Sequence, residues 1–185
     1  MVGDGGGASR RALLGAAAVA GLALSGCGAT AAPASTRPAP AVAERDLALL
    51  LAALELERRT VAAYVAGLPL LPRALRGTVQ QFLSEELEHT GELISLVRSV
   101  GGRVPARPNS FQLGHPSDAA GVLALVHELE SAQIATYLST IPQLSPGPVR
   151  AAVASILTVD AQHVSLIRLQ QGQAPVPSAF VTGAE

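Results

Sequence analysis

The chain has 185 residues, a formal net charge of −1 and a single cysteine. Its 13 basic residues are all arginine and form no basic patch, which argues against a nucleic-acid partner. One cysteine excludes an internal disulfide, so the core must be stable without a covalent staple.

The N-terminus places Arg10-Arg11 ahead of a run of small apolar residues that reaches Gly26. A bilayer span needs about 20 apolar residues, so this run is too short to cross one. A charged start and a short apolar run form the pattern of an export signal. The paired arginines resemble a twin-arginine signal, with general secretory export the other reading. Leu24-Ser25-Gly26-Cys27 resembles the lipobox of bacterial lipoproteins. That resemblance implies cleavage after residue 26 and lipid on the Cys27 sulfur. The mature protein would then sit on the extracytoplasmic face of the membrane, held by lipid. Residues 27–43, rich in Ala and Pro, have little to bury and read as a tether. About 130 residues then remain, enough for one core.

From residue 44 onward the apolar residues recur at helical spacing. A first helix over about 44–67 carries Leu50, Leu54, Glu57, Val61, Tyr64 and Leu68 on one line. Pro69 and Pro72 end it and start the next. The second, about 73–100, carries Val79, Phe82, Glu86, His89, Leu93, Leu96 and Val100, and Gly101-Gly102 close it. A loop with four prolines and glycines follows (Pro105, Pro108, Gly114, Pro116), and Ser117 or Asp118 caps a third helix over about 118–140. Its line is Leu123, Val126, Glu130, Ile134, Tyr137 and Ile141. Ser145-Pro146 open a fourth helix, about 146–171, with Val149, Val153, Ile156, Asp160, His163 and Ile167. Residues 172–185 read as coil against the bundle. Short links make each helix pair an antiparallel hairpin, and the long middle loop can carry the chain the length of the bundle. The expected fold is all-α, a four-helix bundle with a long crossover between helices two and three.

Six ionisable residues interrupt these apolar lines: Glu57, Glu86, His89, Glu130, Asp160 and His163. Glu86/His89 and Asp160/His163 lie three positions apart, a rotation of about 300°, so each pair leaves one helix face. Glu55, Arg58, Glu85, Glu88 and Glu128 fall on other faces and are expected to reach water. An unpaired buried carboxylate costs several kcal/mol, and lysine is absent. Two divalent cations would balance four carboxylates, and mixed imidazole and carboxylate donors suit Fe, Mn or Zn better than Ca or Mg. The halves also repeat: Glu57 and Tyr64 align with Glu130 and Tyr137, and Glu86 and His89 with Asp160 and His163. Tyr64 and Tyr137 read first as core aromatics with a satisfied hydroxyl, and their symmetric placement offers as the alternative a hydrogen bond from each phenol to a buried carboxylate. His127 reads as a hydrogen-bonded helix residue and His115 as a surface residue. Glu88 and Glu92 could serve as ligands only on a rotated second helix.

On these residues, over roughly 44–171, the chain resembles the ferritin-like superfamily, in particular bacterial ferritin-like domains of the desiccation-related type. The resemblance implies a di-iron or di-manganese site between the helices. Glu57 and Glu130 would be terminal ligands, Glu86 and Asp160 bridging ligands, and His89 and His163 would bind one metal each. Asp160 stands where glutamate is usual, and its shorter side chain puts that bridge in question. The superfamily hosts oxidases and peroxide-handling proteins as well as non-catalytic members. Two readings therefore stand: an exported dinuclear redox protein, or a non-catalytic surface lipoprotein with a degenerate site. The sequence names no electron donor, and a homo-oligomer stays open.

Overall fold

The computed structural model describes residues 40–185 apart from Pro146. The export signal, most of the tether and Cys27 lie outside the described residues. Four α-helices make the fold: α1 (Pro40–Gly67), α2 (Arg73–Ser99), α3 (Ala119–Thr140) and α4 (Pro148–Gln170). There is no strand among the described residues.

Local chemistry explains most of the boundaries. α1 begins at Pro40, inside the stretch read as tether, because proline suits a first helical turn and the alanines that follow favour helix. A short 3₁₀ turn, Leu68–Leu70, and the extended Pro72 separate α1 from α2. Past α2, Gly101 takes a left-handed φ of 86° and its N–H returns to the Arg98 carbonyl at 3.0 Å. Asp118 caps α3 by accepting the Gly121 N–H at 2.8 Å. α4 starts two residues later than the proline pattern predicts. Gly147, at φ 104°, turns the chain, and Pro148 occupies the first helical position.

α1 packs on α2 and on α3, α3 packs on α4, and α2 touches α4 only sparsely. Directions follow from side-chain pairs. Tyr64 meets Glu130 while Tyr137 meets Glu57, so α1 and α3 are antiparallel. His89 meets Asp160 while His163 meets Glu86, so α2 and α4 are antiparallel as well. This requires residues 100–118 to run the length of the bundle. Arg58 and Arg59 hold that crossover on α1 by donating to the carbonyls of Pro105 and Gln112, each at 3.1 Å. Arg58 is consequently buried, contrary to its assignment to water: the crossover, not solvent, covers it.

Two apolar clusters fill the bundle. One is built on Leu50, Leu54, Leu93, Val97, Val153 and Ile156. The other is built on Tyr64, Val79, Phe82, Val126 and Ile167. The six ionisable residues occupy the layer between them. Residues 172–185 contain no helix and lie against α3 and α4, where Arg168 donates to the carbonyl oxygens of Ala174 and Glu185 at 2.8 and 2.7 Å. No described helix is long and apolar enough to cross a membrane.

Candidate metal centre

All four helices contribute to the polar layer. Glu57 comes from α1, Glu86 and His89 from α2, Glu130 from α3, Asp160 and His163 from α4. The four carboxylates are fully buried, and the histidines are 8% and 1% exposed. Both imidazoles present Nδ1 to the carboxylates. His89 Nδ1 lies 3.4 Å from Glu86 Oε1, 3.4 Å from Asp160 Oδ1 and 3.9 Å from Glu57 Oε2. His163 Nδ1 lies 3.2 Å from Glu130 Oε1 and 3.4 Å from Glu86 Oε1.

A surrounding set of bonds fixes these groups, and it crosses between the halves. The Tyr64 hydroxyl donates to Glu130 Oε1 at 2.6 Å, and the Tyr137 hydroxyl donates to Glu57 Oε1. Gln133 donates to Glu86 Oε2 at 3.1 Å and accepts from Thr60 Oγ1 at 2.8 Å. His163 Nε2 lies 2.7 Å from Glu85 Oε2. That contact leaves Nε2 carrying its proton toward Glu85 and directs Nδ1 into the cluster.

The carboxylates cannot all be ionised together. Burial, then the charges of Glu86 and Asp160, push Glu57 well above the ordinary carboxylate range. Burial, then Glu130 and Glu86, do the same to Asp160. Burial and the Glu86 charge, opposed by His163, bring Glu130 to about 7. Glu86 is the exception: burial disfavours its charge, but the His163 and His89 contacts outweigh burial and hold it below the ordinary range. Burial alone would lower His163, whereas its bond to Glu130 and the nearby Glu86 carboxylate raise it to about 11. The layer thus holds its acid groups by retaining protons that a cation could replace.

The donor set fits divalent cations. Glu57 Oε2, Glu86 Oε1, His89 Nδ1, Glu130 Oε2 and both oxygens of Asp160 are buried without a hydrogen-bond partner. Buried polar atoms are nearly always bonded, so six unbonded ones in a single layer mark a candidate ligand-binding cluster. Donor atoms fall into two groups: Glu86, Glu130, Asp160 and His163, and Glu57, His89 and Asp160. Asp160 belongs to both. Glu86, read from the sequence as its equal, has Oε2 tied to Gln133.

Three residues of this arrangement were not singled out by sequence. Glu85, assigned to water, is half-buried and touches His163, because it sits on the edge of α2 facing α4 rather than on the outer face. Gln133 and Thr60 are buried beside the site. The signal for them was present: each lies three positions after Glu130 or Glu57, at the same offset that relates the two halves. His127 and His115 remain outside the cluster. His115 is exposed, and the half-buried His127 has Nε2 without a hydrogen-bond partner, so it is not the bonded helix histidine expected from sequence.

An antiparallel four-helix bundle with a crossover after α2 and a buried carboxylate–histidine layer defines a ferritin-like protein. The chain belongs to the ferritin-like domain family, which it matches over residues 45–173. It is similar in fold to the crystal structure of a conserved hypothetical protein from Mycobacterium tuberculosis. The TM-score is 0.67 at 22% identity, over 74% of this chain and 97% of that one. It is also similar to a structure described as ferritin-like, diiron-carboxylate proteins from Bacillus anthracis str. Ames. There the TM-score is 0.61 at 15% identity, over 69% of this chain and 96% of that one. No curated protein matches the sequence.

Proposed function

We propose that the protein holds a dinuclear Fe or Mn centre through Glu57, Glu86, His89, Glu130, Asp160 and His163 and acts as a redox protein outside the cytoplasm, tethered by lipid on Cys27. The observation that carries the metal reading is the set of unpartnered buried donor atoms converging from all four helices. Residues that only needed to satisfy one another would pair every oxygen, and these do not. Bound as a pair, Fe or Mn ions would supply the electron exchange with dioxygen or peroxide that a carboxylate-rich, water-poor site favours.

The chain's own residues prepare the layer for that load. Tyr137 and Tyr64 each hold one oxygen of a glutamate and leave the other turned inward. Gln133, itself held by Thr60, turns Glu86 so that Oε1 faces both histidines. Glu85 takes the Nε2 side of His163 and leaves Nδ1 as the donor. The protons that burial favours on Glu57, Glu130 and Asp160, and the one at His163 Nδ1, would give their places to bound metal.

The test is metal analysis of the purified full chain after expression with Fe or Mn. Two ions per chain are expected, and Glu86→Ala should remove at least one of them. A wild-type chain that retains no stoichiometric metal refutes the reading. Movement of a Cys27→Ser variant from the membrane to the soluble fraction tests the tether separately.

A further inference from the structure

The internal repeat is broken at the positions that flank the two histidines. On α2, Phe82 lies against the His163 ring, with centroids 4.2 Å apart, and Glu85 meets its Nε2 at 2.7 Å. The corresponding residues of the second half, at the offset of Glu86 to Asp160, are Ile156 and Val159 on α4. These two cannot cap His89 with a ring or meet it with a carboxylate. They line instead a groove of about 400 Å³ between α2 and α4. His89 forms its inner wall, and Glu88, Glu92 and Ser155 stand exposed along it. The opening falls where α2 and α4 pack sparsely. His89 is more than nine-tenths buried, lines the groove, and has its Nδ1 unpartnered among Glu57, Glu86 and Asp160. It therefore joins the groove to the cluster.

We infer that divalent cations enter and leave through this groove, passing Glu88 and Glu92 to reach His89 first, so that the two metal positions are unequal. The position served by Glu57, His89 and Asp160 exchanges with solvent. The position served by Glu86, Glu130, Asp160 and His163 is closed by Phe82 and braced by Glu85. Carboxylates along a narrow path concentrate cations and speed their capture, an effect that salt weakens. A histidine with a fixed partner on its far nitrogen holds metal more tightly than one without. This inference rests on the dinuclear reading and adds to it an order of loading and an access route.

The experiment uses the full chain with Mn²⁺ as the probe. Loaded protein is mixed with excess chelator, and the metal remaining is measured against time. Two ions are expected to leave in two phases, separated by at least about tenfold as for sites with and without a fixed histidine partner. His89→Ala should delete the fast phase and His163→Ala the slow one. Glu88→Gln with Glu92→Gln, both exposed, should slow Mn²⁺ uptake by about tenfold at low salt and leave the final stoichiometry at two. Release of both ions in one phase, or uptake by the double variant at the wild-type rate, overturns the inference while the dinuclear reading survives. A wild-type chain that binds no Mn²⁺ overturns both.

Discussion

Asp160 is the position where one substitution separates the metal reading from an ordinary buried polar layer. Asp160→Asn keeps the side-chain volume and replaces one oxygen with an amide that donates rather than accepts. Asp160 supplies a donor to both ligand groups, so the change should weaken both positions. A ligand that binds only the folded state stabilises it by about 4 kcal/mol at a thousandfold excess over Kd. For a bundle of this size each kcal/mol moves Tm by roughly 4 °C, so two saturated sites, at about 4 kcal/mol each, should raise wild-type Tm by roughly 30 °C. Asp160→Asn is expected to lose most of that gain. Glu57→Gln leaves the group of Glu86, Glu130, Asp160 and His163 intact and should keep about half. In chelator the order changes. Burial and the charges of Glu130 and Glu86 already disfavour the ionised form of Asp160, so replacing it with a neutral amide should leave Tm unchanged or slightly higher. The assay is a thermal melt by circular dichroism with chelator and with Mn²⁺, paired with metal analysis. Retention of two ions and the full thermal gain by Asp160→Asn would refute the reasoning.

Two further outcomes follow from the same layer. Tyr137→Phe leaves buried Glu57 Oε1 without its donor and should cost about 1–3 kcal/mol in chelator, with Tyr64→Phe acting similarly through Glu130. Urea unfolding measures both, and no loss in either variant contradicts the bonds described. For pH, Glu130 is raised from 4.5 to about 7, so its stabilising effect is complete below pH 4.5 and lost as pH rises through 7. His163, raised from 6.5 to about 11, likewise contributes fully below 6.5 and loses its contribution toward 11. Glu86, held low, contributes above 4.5 and is lost in acid. Chelated protein should therefore be most stable near about pH 5 and melt earlier at pH 8, with Mn²⁺ abolishing that decline. A chelated Tm that climbs from pH 5 to 8 contradicts the charge assignment.

The bundle was legible in the sequence because each helix buries one face. The lines through Leu50, Phe82, Val126 and Val153 state that face at a period of 3.6. The six polar residues were legible for the same reason: they sit in phase with the apolar ones. Phase alone misplaced Glu85 and Arg58. Both lie on the flanks of their helices, where a neighbouring helix or the crossover decides whether water is reached. Asp46 falls one turn before Leu50 on the same face, ahead of the first apolar residue of that line. There it is fully buried and accepts the Ser145 N–H at 3.1 Å, tying α1 to the α3–α4 turn. The start of α4 was misjudged by two residues because Gly147 can adopt a conformation that composition does not announce. The inequality of the two histidines lay beyond any single-helix pattern, since Phe82 and Glu85 act on a residue of another helix.

The exchanged tyrosine bonds have a consequence for assembly. Tyr64 and Glu130 are 66 residues apart, and Tyr137 and Glu57 are 80 apart, so neither bond can form within one hairpin. Each hairpin carries half of the donors and the brace for the other half's glutamate. A chain with only α1 and α2 in place offers Glu57, Glu86 and His89 but lacks Asp160, which both groups require. On the dinuclear reading, tight metal capture therefore requires the finished bundle. A half-made chain would carry no working trap, and the appearance of bound metal would mark the moment at which the two halves have closed on one another.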